Sequence, residues 1–521
     1  MRPLACLLAL TFPLLPATVA AELDVKPIDA VVERALKELQ APGAAVVVVK
    51  GDEVVHLKGY GVKKLGSEAA VTPDTVFPIA SCSKAFTATL LGMAIDEGRA
   101  RWDDHVTDFL PGFRLADPSA DREVTLRDLL CHRTGMPRHD ALWAGLTNNT
   151  GELILRWTKA NPSTPFRTTW EYTNVPFTTA SLISGTLFNG GWNGAVRKRI
   201  FEPLGMTTTS STFKAGQLAD DRADLHYLTF DKQVKPAAWD EIDHALGAGC
   251  INSTARDMGQ WLRCQLNDGK LDGKQVIPAA VIKETRTQQM LVKPTGAFVP
   301  YFPEKAGRFT TYGLGWFVHE YRGNVCVSHG GTLTGLRAQV MMVPDKKVAV
   351  FVVCNLKPCF LPEAVAKTVL DQLLGLPAED WVAFYKGELA KLDQKIADDR
   401  KKRDDGRKPD TKPVLPLPKY AGRYEQPAYG RVEIAEKDGE LTLKWGKYAF
   451  RLEHFQFDTF TGVMTEPKAE VYLADRSTYE VQFRIGPNGE VDAVKFMDQV
   501  FTRLPPPPEK PKEKEKAEEK K

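Results

Sequence analysis

Two groups of β-branched runs, separated by more than two hundred residues, constrain this chain most. Near the start, Ala44 to Lys50 is an almost unbroken valine run, Gly51-Asp52 is a hairpin turn signal, and Glu53 to Tyr60 follows as a second strand. Asn324 to Ser328, Ala338 to Val343 and Val348 to Asn355 form the later group, again with turns between them. The stretch between the groups is mostly helical in pattern. Thr125-Leu-Arg-Asp128 and Thr254-Ala-Arg-Asp257 match the capping box, in which side chains satisfy orphan N–H groups at a helix start. Strands, helical insert, then strands predicts an α+β fold: one antiparallel sheet assembled from both ends of the domain, with helices packed on it.

Other segments complete the organisation. Arg2, the apolar run Leu4 to Pro16 and the small residues Val19-Ala20-Ala21 predict a secretory signal over residues 1–21. That run is shorter than the ~20 residues a spanning helix needs, so cleavage and a periplasmic or secreted location are expected, with no membrane span afterwards. One large domain is expected over 22–378. A charged, helix-prone and then Pro-rich linker follows over 379–418. Alternation such as Arg431-Val-Glu-Ile434, Glu440-Leu-Thr-Leu-Lys-Trp445 and Tyr479-Glu-Val-Gln-Phe483 predicts a small all-β sheet or barrel over 419–504. A Pro/Lys/Glu tail, expected to be disordered, occupies 505–521. A net charge of +3 over 521 residues argues for no nucleic-acid partner. The nine histidines show no paired ligand spacing, so neither a metal nor another cofactor is expected. Removing the signal leaves seven cysteines with no C-x-x-C pair, and no disulfide framework is evident.

The chemistry rests on three short strings. Ser81-Cys-Ser-Lys84 opens an apolar helical stretch that runs through Phe86, Leu90, Leu91 and Ile95 to Gly98. A serine hydroxyl is a poor nucleophile near neutral pH and needs a base within hydrogen-bond reach. Residues i and i+3 share a helical face, so Lys84 falls beside Ser81. Placing Ser81 in the first helical turn puts it among unpaired N–H groups that favour an oxyanion. A second S-x-x-K, Ser211 to Lys214, lacks the apolar stripe and reads as a turn or cap. Cys82 is read as a small packed residue pointing away from the serine. Of thirteen tyrosines, Tyr172 alone is followed two residues later by asparagine, Asn174. A phenol can relay a proton, and an amide can orient both Lys84 and a substrate carbonyl. His329-Gly330-Gly331-Thr332 follows the strand Asn324 to Ser328, and its glycines allow close approach of a substrate to backbone. Each string alone has a plainer reading: a cap serine, a packed tyrosine, a hairpin turn with a surface histidine. Their company favours the functional one.

With these strings in place, the chain resembles the serine hydrolases related to class C β-lactamases, D-alanyl-D-alanine carboxypeptidases and certain bacterial esterases and D-aminopeptidases, a penicillin-binding-protein-like family. The matching text is Phe77-Pro-Ile-Ala-Ser-Cys-Ser-Lys84, Val124-Thr-Leu-Arg-Asp-Leu-Leu-Cys-His-Arg-Thr-Gly135, Glu171-Tyr-Thr-Asn174, Glu202-Pro-Leu-Gly-Met206, Ser253-Thr-Ala-Arg-Asp-Met258, Tyr312-Gly-Leu-Gly-Trp316 and His329-Gly-Gly331. The resemblance implies a β-lactamase/transpeptidase-like sheet with a large helical insert and a small appended β domain. It implies Ser81 as nucleophile, Lys84 as base, Tyr172 as proton relay and Asn174 as substrate-orienting amide. The N–H groups of Ser81 and Thr332 would form the oxyanion hole, with His329, Gly330 and Gly331 orienting substrate. His329 stands where the β-lactamases carry a lysine, and histidine is charged only in part near neutral pH. That departure shifts the expected activity from β-lactam turnover toward a peptidase or esterase acting on a D-amino-acid peptide or small ester. A true β-lactamase and a non-hydrolytic penicillin-binding or cell-wall-sensing receptor are the alternatives. A second departure is Gly249-Cys250, where relatives often have two glycines. Trp143 to Trp170 and Val299 to Phe309 are expected to shape the pocket for a small-molecule or peptide substrate; the oligomeric state is left open.

Overall fold

The computed structural model describes residues 26–239, 241–465 and 479–506. The expected signal at 1–21, Cys6 and the tail beyond residue 506 lie outside the described residues. Among the described residues an antiparallel sheet is built from β1 (Gly43–Lys50), β2 (Glu53–Gly61), β3 (Met290–Leu291), β4 (Thr310–Tyr312), β5 (Phe317–Tyr321), β6 (Asn324–Leu333), β7 (Leu336–Val343) and β8 (Val348–Cys354). Its order is β2-β1-β8-β7-β6-β5-β4-β3, so β1 and β8, from opposite ends of the domain, are neighbours, with Val47 opposite Phe351. The α+β architecture expected from the sequence is present.

A run as apolar as β1 must be covered on both faces. Val46 and Val48 face one helical layer, formed by α1 (Lys26–Glu38), α6 (Leu361–Leu373) and the start of α7 (Trp381–Asp405). Ala45, Val47 and Val49 face the other, which contains α2 (Ser83–Asp96) and α5 (Ala255–Leu266). Helix α2 is buried almost all round, against α4 (Val175–Leu187) among others, as its largely apolar composition requires. It stops where Gly98 takes a φ of +72° and donates to Ile95.

Several local expectations are modified. The strand read as Asn324 to Ser328 continues to Leu333, so His329-Gly-Gly-Thr332 lies inside β6 and not in a turn. Thr125 and Asp128 form the full reciprocal capping box. At the second box only Thr254 caps; the Asp257 carboxylate turns away to accept from the Thr208 N–H at 2.9 Å and the Thr209 hydroxyl at 2.8 Å. The segment expected as a charged helical linker is one helix, α7, whose first turns bury Trp381, Val382, Tyr385 and Leu389 in the sheet's outer layer.

The C-terminal segment closes into a barrel of β9 (Gly422–Gln426), β10 (Gly430–Lys437), β11 (Glu440–Trp445), β12 (Tyr448–Gln456), β13 (Thr459–Met464), β14 (Tyr479–Ile485), β15 (Val491–Phe496) and β16 (Gln499–Arg503). Strand alternation fills it: Val432, Ile434, Leu441, Leu443 and Trp445 are buried while their neighbours face out. Its core is continuous with that of the helical insert, where Leu153, Ile154 and Trp157 of α3 (Thr150–Thr158) join the same cluster as Tyr429 and Trp445. The seven cysteines among the described residues are all buried and unpaired. No helix among the described residues is long and apolar enough to cross a membrane.

Candidate active site

Ser81 sits in a 3₁₀ turn, Ala80–Cys82, immediately before α2. This is one step earlier than the sequence suggests, because Ala80 takes a left-handed φ of +48° and the turn closes through Cys82 N–H to the Ile79 carbonyl. Lys84, in the first turn of α2, places its Nζ 3.0 Å from Ser81 Oγ. The same nitrogen donates to Asn174 Oδ1 at 2.7 Å and to the Ala248 carbonyl at 2.8 Å. Both are neutral oxygens, and the nearby ring faces belong to Tyr172 and Phe177 at 5.1 and 5.4 Å. Lys84 is fully buried, and that burial, helped by the charge of Arg138, drives its pKa well below the ordinary lysine value.

Tyr172 and Asn174 close the other side. The Tyr172 phenol is hydrogen-bonded to Ser81, and burial pushes its pKa up to about 12. Its ring packs against His132 at 4.3 Å and Phe298 at 5.4 Å, with the Arg138 guanidinium 5.0 Å over it. Asn174, just before α4, donates from Nδ2 to Asp140 Oδ1 at 3.0 Å, the oxygen that also accepts from Trp143 Nε1 at 3.0 Å. Asp140 in turn takes a hydrogen bond from Arg138. These contacts turn the amide so that its oxygen faces Lys84.

Strand β6 forms the third wall. A Cβ on Gly331 would stand 2.1 Å from the Ile79 carbonyl, so only glycine lets the strand lie against the turn that carries Ser81. Thr332 and Gly330 share a cavity wall with Ser81, and the Thr332 hydroxyl accepts from Arg337. His329 is not the partly charged group expected. Its Nδ1 lies 2.7 Å from the Gly330 carbonyl, which can only accept, so Nδ1 carries the proton and Nε2 accepts from the Tyr312 hydroxyl at 3.0 Å. Burial lowers its pKa to about 3, and it is a neutral imidazole at physiological pH. Cys82 is the packed residue expected; its thiol donates to the His329 carbonyl at 3.3 Å.

Of the residues singled out in the sequence, Ser81, Tyr172, His329, Gly330 and Thr332 line one cavity of about 470 Å³, whereas Lys84, Asn174 and Gly331 are not in its wall. Sequence reasoning missed Arg138, Asp140, His132 and the group Arg337, Gln339 and Lys367. His132 sits within a quoted motif, where its Nδ1 accepts from the Thr173 N–H at 3.2 Å. Asp140 and Lys367 carry no local signal. Phe298, Tyr301 and Phe302 line the cavity, so the segment around Val299 to Phe309 does shape it. Trp170 packs behind Tyr172 at 5.9 Å, outside the lining.

The fold and this arrangement define a serine-hydrolase-type domain with an appended barrel. Residues 28–373 match the beta-lactamase family, and residues 406–505 match a domain of unknown function, DUF3471. The chain belongs to the beta-lactamase family. It is 28% identical over 519 residues to an unguisins hydrolase of Aspergillus violaceofuscus, covering 91% of this chain and 89% of the relative. It is 30% identical over 323 residues to penicillin-binding protein 4 of Amycolatopsis lactamdurans, covering 61% of this chain and 82% of the relative. The octameric penicillin-binding protein homologue from Pyrococcus abyssi shares the fold with a TM-score of 0.59 at 20% identity, covering 92% of this chain and all of that one. So does the D-amino acid amidase from Ochrobactrum anthropi SV3, at a TM-score of 0.54 and 21% identity, covering 67% of this chain and 98% of that one.

Proposed function

We propose that the protein is an exported serine hydrolase that acts through an acyl-enzyme on an amide or ester, most simply a D-amino-acid peptide or a small ester. The observation that carries this reading is the state of Lys84: a buried amine with neutral oxygens as its partners, 3.0 Å from a serine hydroxyl. As a neutral amine it has two hydrogens, which the Asn174 and Ala248 oxygens take, and one lone pair, left for the Ser81 hydroxyl.

The steps follow. Ser81 Oγ attacks the carbonyl carbon while its proton passes to Lys84 Nζ. The resulting oxyanion is held by the N–H groups of Ser81 and Thr332. The C–N or C–O bond then breaks; Tyr172 gives its phenol proton to the departing amine or alcohol and is reprotonated from Lys84, which returns to the neutral amine. Water attacks the acyl-enzyme by the same route in reverse and frees the acid. The relative named as a hydrolase over nine-tenths of this chain supports turnover over mere binding. His329, buried and neutral, stands where the β-lactamases carry a lysine, and that departure supports a peptidase or esterase over a β-lactamase. The proposed organisation is a signal at 1–21, a hydrolase domain within 22–378 and an accessory barrel at 419–504.

Intact-mass spectrometry after exposure to a fluorophosphonate tests the reading. A single adduct on wild type and none on Ser81→Ala is expected, with Lys84→Ala slowed by several orders of magnitude. An unmodified wild type, or equal labelling of Ser81→Ala, overturns it.

A further inference from the structure

We propose that the inner end of the cavity beside Ser81 is a carboxylate-binding subsite built on Lys367 and Arg337, so that the substrate carries a carboxylate separated by an apolar stretch from the carbonyl that meets Ser81. This rests on the hydrolase reading and narrows its substrate class.

The cavity wall carries four cationic side chains, Arg138, Arg337, Lys357 and Lys367, and no carboxylate among the residues that line it. The chain as a whole is almost balanced in charge, so this is a local concentration. Arg138 and Arg337 are answered from behind the wall. Arg138 meets Asp140, and Arg337 meets Glu363 through Nε at 2.7 Å and through Nη2. Arg337 also lies 4.2 Å over the Tyr301 ring, which fixes its plane.

Lys367 differs. It is 2% exposed, stands one helical turn beyond Glu363 on α6, and donates to the Tyr301 carbonyl at 3.3 Å. The ring centroids of Tyr385 and Trp381 are 5.6 and 5.9 Å away. The neighbouring carboxylates are engaged elsewhere: Glu363 with Arg337, and Asp371 with Arg322 at 2.6 Å, Tyr321 at 2.7 Å and Trp381 at 2.8 Å. An ammonium has three hydrogens to place, and a buried one demands an anion or several acceptors. Burial lowers its pKa to about 8 while Glu363 pulls it back up, so near neutral pH the charged form predominates.

The passage between catalytic serine and cation is continuous. Gly330 has no side chain to block it; a Cβ there would stand 3.0 Å from Gln339 Oε1 and 3.4 Å from Arg337 Nη2. Phe298, Tyr301, Phe302 and Phe317 supply apolar walls, and the volume of about 470 Å³ suits a ligand of moderate size.

Calorimetry at pH 7 with 4-phenylbutyrate and with the neutral 4-phenylbutanamide tests the subsite without requiring turnover. One charge-assisted hydrogen bond to a buried ammonium should make the acid bind about tenfold tighter than the amide. Lys367→Met and Lys367→Gln should each abolish that preference while keeping affinity for the amide. The acid should also slow fluorophosphonate labelling of Ser81 in the wild type. Equal affinity for acid and amide, a preference that survives in a folded Lys367 variant, or acid binding that leaves labelling unchanged each overturns the subsite. Failure of Ser81 to label without any ligand overturns the hydrolase reading instead, and the calorimetric comparison still decides the subsite by itself.

Discussion

The Tyr429 hydroxyl, on the β9–β10 turn of the C-terminal barrel, lies 2.6 Å from Nδ1 of His139 in the beta-lactamase-family domain. His139 takes a left-handed φ of +43°, and its two neighbours are Arg138 over Tyr172 and Asp140 on the Asn174 amide. Tyr429 is itself held rigidly, stacked on Trp445, whose Nε1 donates to the Tyr429 carbonyl at 3.1 Å. A contact between the two folded units therefore bears on a loop one residue from the site.

Tyr429→Phe removes the hydroxyl and keeps the ring. Losing one net hydrogen bond of about 1 kcal/mol should slow fluorophosphonate labelling of Ser81 by roughly fivefold, with a fall in Tm of only a few degrees. Stopped-time mass spectrometry and a thermal melt check both numbers. An unchanged labelling rate would show that the barrel contact has no influence on the site.

Lys84 predicts a pH dependence of stability with a definite sign. In the unfolded chain it keeps its proton up to about pH 10.4. In the fold, burial moves its pKa well below the ordinary value. Between those two values the unfolded state holds the extra proton, so stability rises with pH, by at most about 1.4 kcal/mol per unit from this one group. Urea denaturation at pH 7 and at pH 9.5 should show wild type gaining on Lys84→Met. Parallel behaviour of the two proteins would contradict a depressed Lys84.

Gly331 and Gly330 are adjacent yet should respond oppositely to alanine. At Gly331 the new Cβ meets the Ile79 carbonyl at 2.1 Å, and neither backbone can yield without moving the Ser81 turn. At Gly330 it meets the end of the Gln339 side chain at 3.0 Å, which can rotate. Gly331→Ala should cost about 1–3 kcal/mol of stability and lose serine labelling, whereas Gly330→Ala should leave stability nearly unchanged.

His329 should stay neutral, protonated on Nδ1, throughout the working range. Its pKa of about 3 means that the signals assigned to His329, identified by their loss in His329→Gln, should keep constant shifts in long-range ¹H–¹⁵N spectra between pH 5 and 8. A His329 that titrates near pH 6 would restore the partly charged group that the sequence suggested.

What was legible in the sequence was what short spacing encodes. Ser81 and Lys84 meet because three residues make nearly one helical turn, and β1 reads as a strand because four consecutive valines followed by the Gly51-Asp52 turn signal favour a hairpin over a helix. Tyr172 and Asn174 were found as a string, although what orients Asn174 was not: Asp140 lies 34 residues earlier and reaches the amide only through the fold. Arg337, Glu363 and Lys367 escaped for the same reason, since a strand and a helix must pack before their charges meet. The helical character of α7 is legible and its docking is not, because its charged second half dominates its composition while the apolar residues that dock it cluster in the first turns. The Asp257 half of a capping box failed because two hydroxyl- and amide-bearing neighbours, Thr208 and Thr209, compete for the carboxylate.

The buried cysteines have a consequence for how this protein can be made and kept. Thiolate is the form that oxidises, and burial holds the thiols of Cys82, Cys131, Cys264 and Cys326 near a pKa of about 12. With none of the seven bonded to another, folding of the described chain requires no oxidant and no shuffling of wrong pairings. Reductant should neither unfold it nor help it refold, and the same native structure is available on either side of a redox boundary.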